Sequence, residues 1–306
     1  FLLGAMTVVE LMDAHGGFLV ITDRISTTNK RALFWMVGII TFFLSAALDN
    51  MTTAIVMCAL LRKMIADRND LWTFAGLVII AANAGGAWSP IGDVTTIMLW
   101  IDGQVTSMNI IIKLFLPSLV CLLVPLLWMS RYVHGTVSRP VVTGDASGVT
   151  LKASERYTVF FIGLLTLLGV PVFKQITHLP PFMGIMLGLG ILWVYTEFIH
   201  HNAATKERGH LHVTSILRRI DHSSILFFLG ILVAVAGLET AGHLHDAAAG
   251  LDRVFGNMYA VTTAIGLLSA VVDNVPLVAA AQGMYPMTVY AQDHPLWELI
   301  AYCAGT

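Results

Sequence analysis

Ser45-Ala-Ala-Leu-Asp-Asn50 (SAALDN) lies inside an apolar run, and Ser269-Ala-Val-Val-Asp-Asn274 (SAVVDN) lies inside another, 224 residues later. A carboxylate in an apolar setting is costly unless it is paired, protonated or bound to a cation. Ser, Asp and Asn at one spacing in two such runs therefore need a reason. Where a helix breaks, carbonyls at one end and amides at the other lose their partners. Short polar side chains can satisfy those groups or turn their oxygens towards an ion. Both hexapeptides read as the tips of broken helical hairpins.

Composition sets the surroundings. Of 306 residues, 57% are hydrophobic and 12% charged, with mean hydropathy +0.78. A soluble domain carries about 25% charged residues, so the chain reads as an all-α polytopic membrane protein in a lipid bilayer. Met108–Met129, Tyr157–Phe173, Phe182–Ile199 and Ser223–Ala241 approach the roughly 20 apolar residues that a crossing needs. A net charge of −2 without a basic tract excludes nucleic acid as a partner. Cys58, Cys121 and Cys303 are isolated in apolar runs and read as small packing residues. No cleavable signal peptide is visible. The chain opens on Phe1 and stops at "AYCAGT", each inside an apolar run, so further segments are expected beyond both ends.

Basic residues orient the crossings, because cytoplasmic loops carry excess Lys and Arg. Arg24, Lys30 and Arg31 precede the first Asp-Asn pair, and Arg62, Lys63 and Arg68 follow it. About 30 residues separate the clusters, whereas two crossings need roughly 40. A re-entrant hairpin entering from the cytoplasm and turning at Asp49–Asn50 fits. Leu71–Ile101 then crosses outward, interrupted at "NAGGAWSPIGD", and Met108–Ser130 returns. Two crossings joined by "KQITHLPP" lead to a basic loop around Lys206 and Arg208. The second Asp-Asn pair, flanked by Asp252–Arg253 and Asp293–His294, enters from outside. All of the 17 Lys and Arg but Lys113, Lys174 and Arg253 then lie inside.

The two parts match beyond the hexapeptides. "FLLG" at Phe1 answers "FFLG" at Phe227, and "LMDAHG" at Leu11 answers "GLETAG" at Gly237. Order is kept and orientation reversed, which predicts an inverted-topology repeat with two re-entrant hairpins and broken transmembrane helices. Residues 1–131 form the first repeat, 132–154 a cytoplasmic loop, and 155–306 a second repeat that is incomplete at its C-terminal end. Secondary transporters built this way hold their site near the midplane.

The polar residues suit a hard cation, which prefers oxygen ligands. Ser45, Asn50, Thr52 and Thr53 offer oxygens at the first tip and Asp49 adds charge; Ser269, Asp273 and Asn274 repeat the set. Na+ is expected at Asp49, Asn50, Asp273 and Asn274. The second break, "NAGGAWSPIGDVTT", adds Asn83, Ser89, Asp93, Thr95 and Thr96. Glu10, Asp13 and His15 cluster near the inner end of the first segment, where Glu10 and Asp13 share a helix face. They are candidates for a proton relay or pH sensor.

"LLGAMTVVELMDAHGGFLVITDRI", "LSAALDNMTTAIVM", "NAGGAWSPIGDVTTIMLW" and "LSAVVDNVPLVAAA" resemble the NhaD-type Na+/H+ antiporters of bacteria, within the ion transporter superfamily. The resemblance covers nearly the whole chain. It implies a multi-pass protein of the bacterial cytoplasmic (inner) membrane, homodimeric, that exchanges cytoplasmic Na+ or Li+ for external protons without a cofactor. The matching functional positions are Glu10, His15, Ser45, Asp49, Asn50, Asn83, Asp93, Thr95, Thr96, Ser269, Asp273 and Asn274.

The nearest rival is a sodium-coupled dicarboxylate or citrate symporter of the same fold. It would set an anion beside Asp49 and Asp273 with no Arg or Lys near either break, which is self-defeating. An arsenite efflux carrier shares similar motifs. An enzyme, an intramembrane aspartyl protease, would use "PIGD" as part of a Gly-x-Gly-Asp motif, but the first Gly is missing. A purely structural scaffold would not need the doubled carboxylates.

Overall fold

A computed structural model describes residues 1–22, 25, 27–138, 152–200, 213–218, 220, 222–271 and 273–306. The readings placed on Arg24, Arg139, Lys206, Arg208 and Arg219 lie outside the described residues. In the first part of the chain the helices are α1 (Leu2–Ala14), α2 (Leu19–Thr22), α3 (Lys30–Leu48), α4 (Asn50–Met64), α5 (Arg68–Ala87), α6 (Val94–Ile101) and α7 (Ser107–Met129). In the second part they are α8 (Ala153–Thr177), α9 (Pro181–His200), α10 (Val213–Ile216), α11 (His222–Thr240), α12 (His243–Phe255), α13 (Met258–Ser269), α14 (Asn274–Met284) and α15 (Pro295–Gly305). Among the described residues the only β pairing on this helical background is an isolated bridge, Asn29 with Thr136.

Among the described residues five helices are long and apolar enough to cross a membrane: α3, α5, α7, α8 and α9. The α11–α12 pair adds a sixth if its halves, bent by 79°, make one span. Leu116, Val120 and Val124 on α7, Leu165 and Val172 on α8, and Leu187, Val194 and Phe198 on α9 are all exposed. So much exposed apolar surface suits lipid rather than water. These elements match the apolar runs read from the sequence.

The chain divides into two compact units. Unit 1 holds Phe1–Thr41, Met51–Ile79 and Pro125–Asp221, and unit 2 holds Phe42–Asn50, Ile80–Val124 and His222–Thr306. The sequence repeat, cut at 131 and 155, follows a different partition from this packing.

Unit 1 shows that the chain reverses between α3 and α5. Lys30 Nζ pairs with Asp70 at 2.6 Å, and the Phe34 and Phe74 rings meet edge to face at 5.1 Å. Gly38 faces Leu77. The two helices therefore run in the same direction, and α4 between them must run back. Both mouths of the turn meet one segment: Val137 N donates to Thr28 O (2.8 Å), Lys30 N to Gly135 O (3.0 Å) and Ala66 N to Ser138 O (2.9 Å). At 1.5 Å per residue, the 19 residues of α3 extend about 28 Å and the 15 of α4 about 22 Å. α3 thus has the length of a full crossing (hydrocarbon core about 30 Å), and α4 falls short.

Also in unit 1, α1 packs against α8 and α9, with Gly163 so close to Met12 that an added Cβ would lie 2.3 Å from its sulfur. The chain leaves α1 through Gly16, at φ +65°, and Phe18 then packs edge to face on Phe160.

In unit 2, α15 packs on α13, α14 and α6, and α14 also meets α11 and α12. One expectation changes here. Ser223–Ala241 reads as a plain crossing, whereas α11 runs into Gly242 at φ +80° and turns sharply into the amphipathic α12. A left-handed residue ends a helix at little cost when it is glycine. Polar contacts tie the loop before α7 to the loop before α15. Asp293 accepts from Thr106 N (2.7 Å) and Oγ1 (2.8 Å), Asn109 donates to Glu298 (2.7 Å), and Tyr302 donates to the Pro117 carbonyl (3.1 Å). These bonds fix α15 lengthwise against α7 and so set where its C-terminal end lies.

Candidate ion site

The first tip is a one-residue break. α3 ends at Leu48, α4 starts at Asn50, and Asp49 between them sits at φ +88°. That conformation is uncommon for any residue but Gly, although Asp and Asn adopt it more readily than most. The strain points to a position over-determined by its surroundings. Those surroundings, all in unit 2, can be read residue by residue. Ser45, fully buried, donates to the Ala82 carbonyl on α5 (2.6 Å), and Ser89 donates to the Ala46 carbonyl (2.6 Å). The Asn50 amide nitrogen donates twice, to Asn83 Oδ1 (3.0 Å) and to Asp93 Oδ2 (2.7 Å).

Close backbone approach makes this possible. A Cβ on Gly85 would lie 2.2 Å from the Phe42 carbonyl oxygen, and one on Gly92 would lie 2.7 Å from that of Gly86. The Gly-rich break between α5 and α6 is thus folded onto the tip, not looped into water. Trp88 stacks on Phe42 (5.8 Å) and meets Phe115 edge to face (5.1 Å), forming an aromatic cover beside it.

Asp93 is the centre of the arrangement and is only 1% exposed. Its Oδ1 accepts from Thr95 N (2.9 Å), which caps α6, and its carbonyl accepts from Thr96 Oγ1 (2.8 Å). Its Oδ2 holds Asn50. The side chains that act on it electrostatically through their charge are Asp49 and Asp273; no Lys or Arg is among them. Thr95 Oγ1, buried next to this carboxylate, finds no partner that meets hydrogen-bond geometry. From the other side, an added Cβ on Gly305 would lie 3.1 Å from Thr95 Oγ1 and 3.3 Å from Asp93 Oδ2, so the end of α15 completes the wall.

The second tip repeats one bond and loosens the rest. Ser269 Oγ donates to the Ala304 carbonyl on α15 (3.3 Å), as Ser45 does to Ala82 on α5, and it is also bonded within α13 to Gly266 O (3.0 Å). Asp273 is exposed and caps α14 weakly, accepting from Val275 N at 3.5 Å. Asn274 opens α14 and is half-buried.

The structure therefore gathers Ser45, Asp49, Asn50, Asn83, Asp93, Thr95 and Thr96, with Ser269, Asp273 and Asn274 on the second tip of the same unit. Thr52 and Thr53 fall past the boundary in unit 1, where Thr53 is buried with its hydroxyl unpartnered. Glu10, Asp13 and His15 also belong to unit 1. There His15 is fully buried and its Nδ1 donates to the Leu11 carbonyl (2.8 Å), while Asp13 is exposed. Sequence reasoning missed the Ala82 and Ala304 carbonyls, Gly305 and the Trp88 cover. Only the Gly-Gly of "NAGGAW" signalled the close approach.

Carboxylates held on broken apolar helices mark transport pathways in membrane proteins. The chain belongs to the citrate transporter (CitMHS) family, whose model matches residues 1–305. It is 51% identical over its full length to sodium/proton antiporter 1 of Arabidopsis thaliana, of which it spans 53%, about half. It is 47% identical to sodium/proton antiporter 2 of the same plant, spanning 73% of it. To the Na+/H+ antiporter NhaD of Vibrio cholerae it is 34% identical, again over the whole chain, spanning 67% of that protein. The resemblance to the NhaD type stands, and it extends to plants.

Proposed function

We propose that this chain is the core of an antiporter that exchanges cytoplasmic Na+ or Li+ for external protons. One observation carries the reading: a fully buried carboxylate, Asp93, sits with Asn50, Asn83 and the Thr95 hydroxyl, and its charged neighbours are two more carboxylates. Such a site attracts a small cation and repels an anion. The family description names citrate, but the charged groups acting on Asp93 among the described residues are Asp49 and Asp273, which would repel a tricarboxylate. The names of the plant and bacterial relatives point to sodium and protons instead.

Sodium and protons compete in this scheme. Carboxylates close together in a low dielectric resist being ionised together. Bound Na+ relieves that repulsion and lets the proton go; protonation expels Na+. The empty, fully charged site does not cross, because its desolvation is too costly.

The repeated Ser-to-Ala bond and the chain reversal at Asp49 support two re-entrant hairpins related as an inverted repeat. Glu10, Asp13 and His15 would sense pH or relay the proton. The bacterial relatives support the bacterial inner membrane as the location, and an assembly as homodimer follows the NhaD resemblance. Purified protein in liposomes with an imposed pH gradient tests the function. Na+ or Li+ should collapse the gradient, and K+ and citrate should not. Acceleration by citrate with no response to Na+ alone would overturn the proposal.

A further inference from the structure

Where α12 meets α13 in unit 2, Asp252, Asn257, Val261, Tyr285, Tyr290 and Leu296 line a cavity of about 230 Å³, apart from the residues around Asp93. Its floor is Tyr285, 4% exposed, whose hydroxyl lies 3.5 Å from Asp252 Oδ1. The Tyr285 and Tyr290 rings meet at 84° with centroids 5.4 Å apart, so they form a corner. Tyr290 is held in place from behind by the His294 ring at 5.2 Å and by Trp297 Nε1, which donates to its carbonyl at 3.0 Å. Asp252, exposed, stands at the rim.

Charge and size select the ligand. α12 ends at Gly256, so the partial negative charge of a helix C-terminus adds to Asp252, with Arg253 the basic residue of the same last turn. The opposing start of α13 is already capped, Asn257 Oδ1 accepting from Tyr259 N at 2.8 Å. A water occupies roughly 30 Å³ of liquid, so the cavity holds the equivalent of seven or eight. A bare Na+ would leave most of it empty, while drug-sized ligands need about 300 Å³ or more. Aromatic faces next to a carboxylate are the chemistry that retains alkylated or delocalised cations.

We propose that this cavity binds a small organic monocation, an alkylammonium or guanidinium ion, at a site separate from the exchange carboxylates. Nothing in this proposal depends on the transport reading, and its test involves no transport.

The probe is tetramethylammonium, titrated into the purified full chain in sodium-free detergent solution and followed by broadening of its methyl resonance. Saturable binding is expected, weakened about tenfold by Asp252→Asn and by Tyr290→Leu, and kept within about twofold by Tyr290→Phe. Asp49→Asn and added Na+ should leave it unchanged. Absence of saturable binding, equal loss in Tyr290→Phe and Tyr290→Leu, or displacement by Na+ would overturn the proposal. Should Asp252→Asn fail to fold, the two Tyr290 variants decide alone.

Discussion

The two Asp-Asn tips begin from nearly the same six residues and end in different environments. At the first, Asp49 is half-buried at φ +88° and Asn50 is bonded to two side chains of the next break. At the second, Asp273 is exposed at φ −49° and bonds weakly to its own helix. What separates them is packing. The 83–93 segment folds over the first tip through Gly85 and Gly92, whereas among the described residues the second tip meets α15 through Ser269 alone in side-chain hydrogen bonding. A motif thus specifies which atoms are available, and the neighbours decide how far they are desolvated and how strongly they act.

The largest test of this contrast compares carboxylates. Asp93→Asn and Asp49→Asn should each cut Na+/H+ exchange in liposomes by roughly 100-fold, the scale of about 3 kcal/mol lost at 1.4 kcal/mol per factor of ten. Asp273→Asn should cost only about tenfold, because an exposed charge is screened by water. Equal losses for Asp49 and Asp273 would erase the distinction between the tips. Titrating sodium into the purified protein at several pH values reads the shared site. Below the titration range of the carboxylates, the apparent Kd should rise about tenfold per unit fall in pH for each proton displaced. An affinity independent of pH would separate the sodium and proton paths.

Packing variants give smaller effects. Gly85→Ala would drive its Cβ to 2.2 Å from the Phe42 carbonyl, a rigid backbone atom, and Gly266→Ala would reach 2.7 Å from that of Cys303. Overpacking costs about 1–3 kcal/mol, so both should lower the melting temperature, Gly85→Ala more. Smallest is the pair of serines. Ser45→Ala removes a fully buried 2.6 Å bond and leaves the Ala82 carbonyl with one partner fewer, for about 1 kcal/mol. Ser269→Ala removes a 3.3 Å bond in a half-buried place and should be close to neutral in thermal unfolding. A reversed order in either pair would place the tighter tip at Asp273.

Much of this was legible in the residues. Long apolar runs with few charges permit only helices in a membrane, because every backbone group must be satisfied locally. The breaks at Asp49 and across 88–93 follow from Asp, Gly and Pro standing where a continuous helix would not keep them. The candidate ion residues followed from the price of placing carboxylates and amides in such runs, and Asp49, Asn50, Asn83 and Asp93 do belong to one unit. The bend before α12 was not legible, since Gly242 alone does not announce a left-handed turn. Nor was the cavity at Tyr285, whose lining residues come from two separate stretches of chain, 252–261 and 285–296.

The sequence by itself determined the helical class, the places where helices break and the kinds of atom offered there, because these depend on local hydropathy and backbone preference. Only the tertiary structure decided that Asp93 and not either tip aspartate is the most buried of these carboxylates, that Asn50 joins it to Asn83, and that the equivalent aspartate at the second tip is exposed. Burial is the sum of contacts from segments far apart in the chain, so two hexapeptides that differ only in apolar residues cannot encode it on their own.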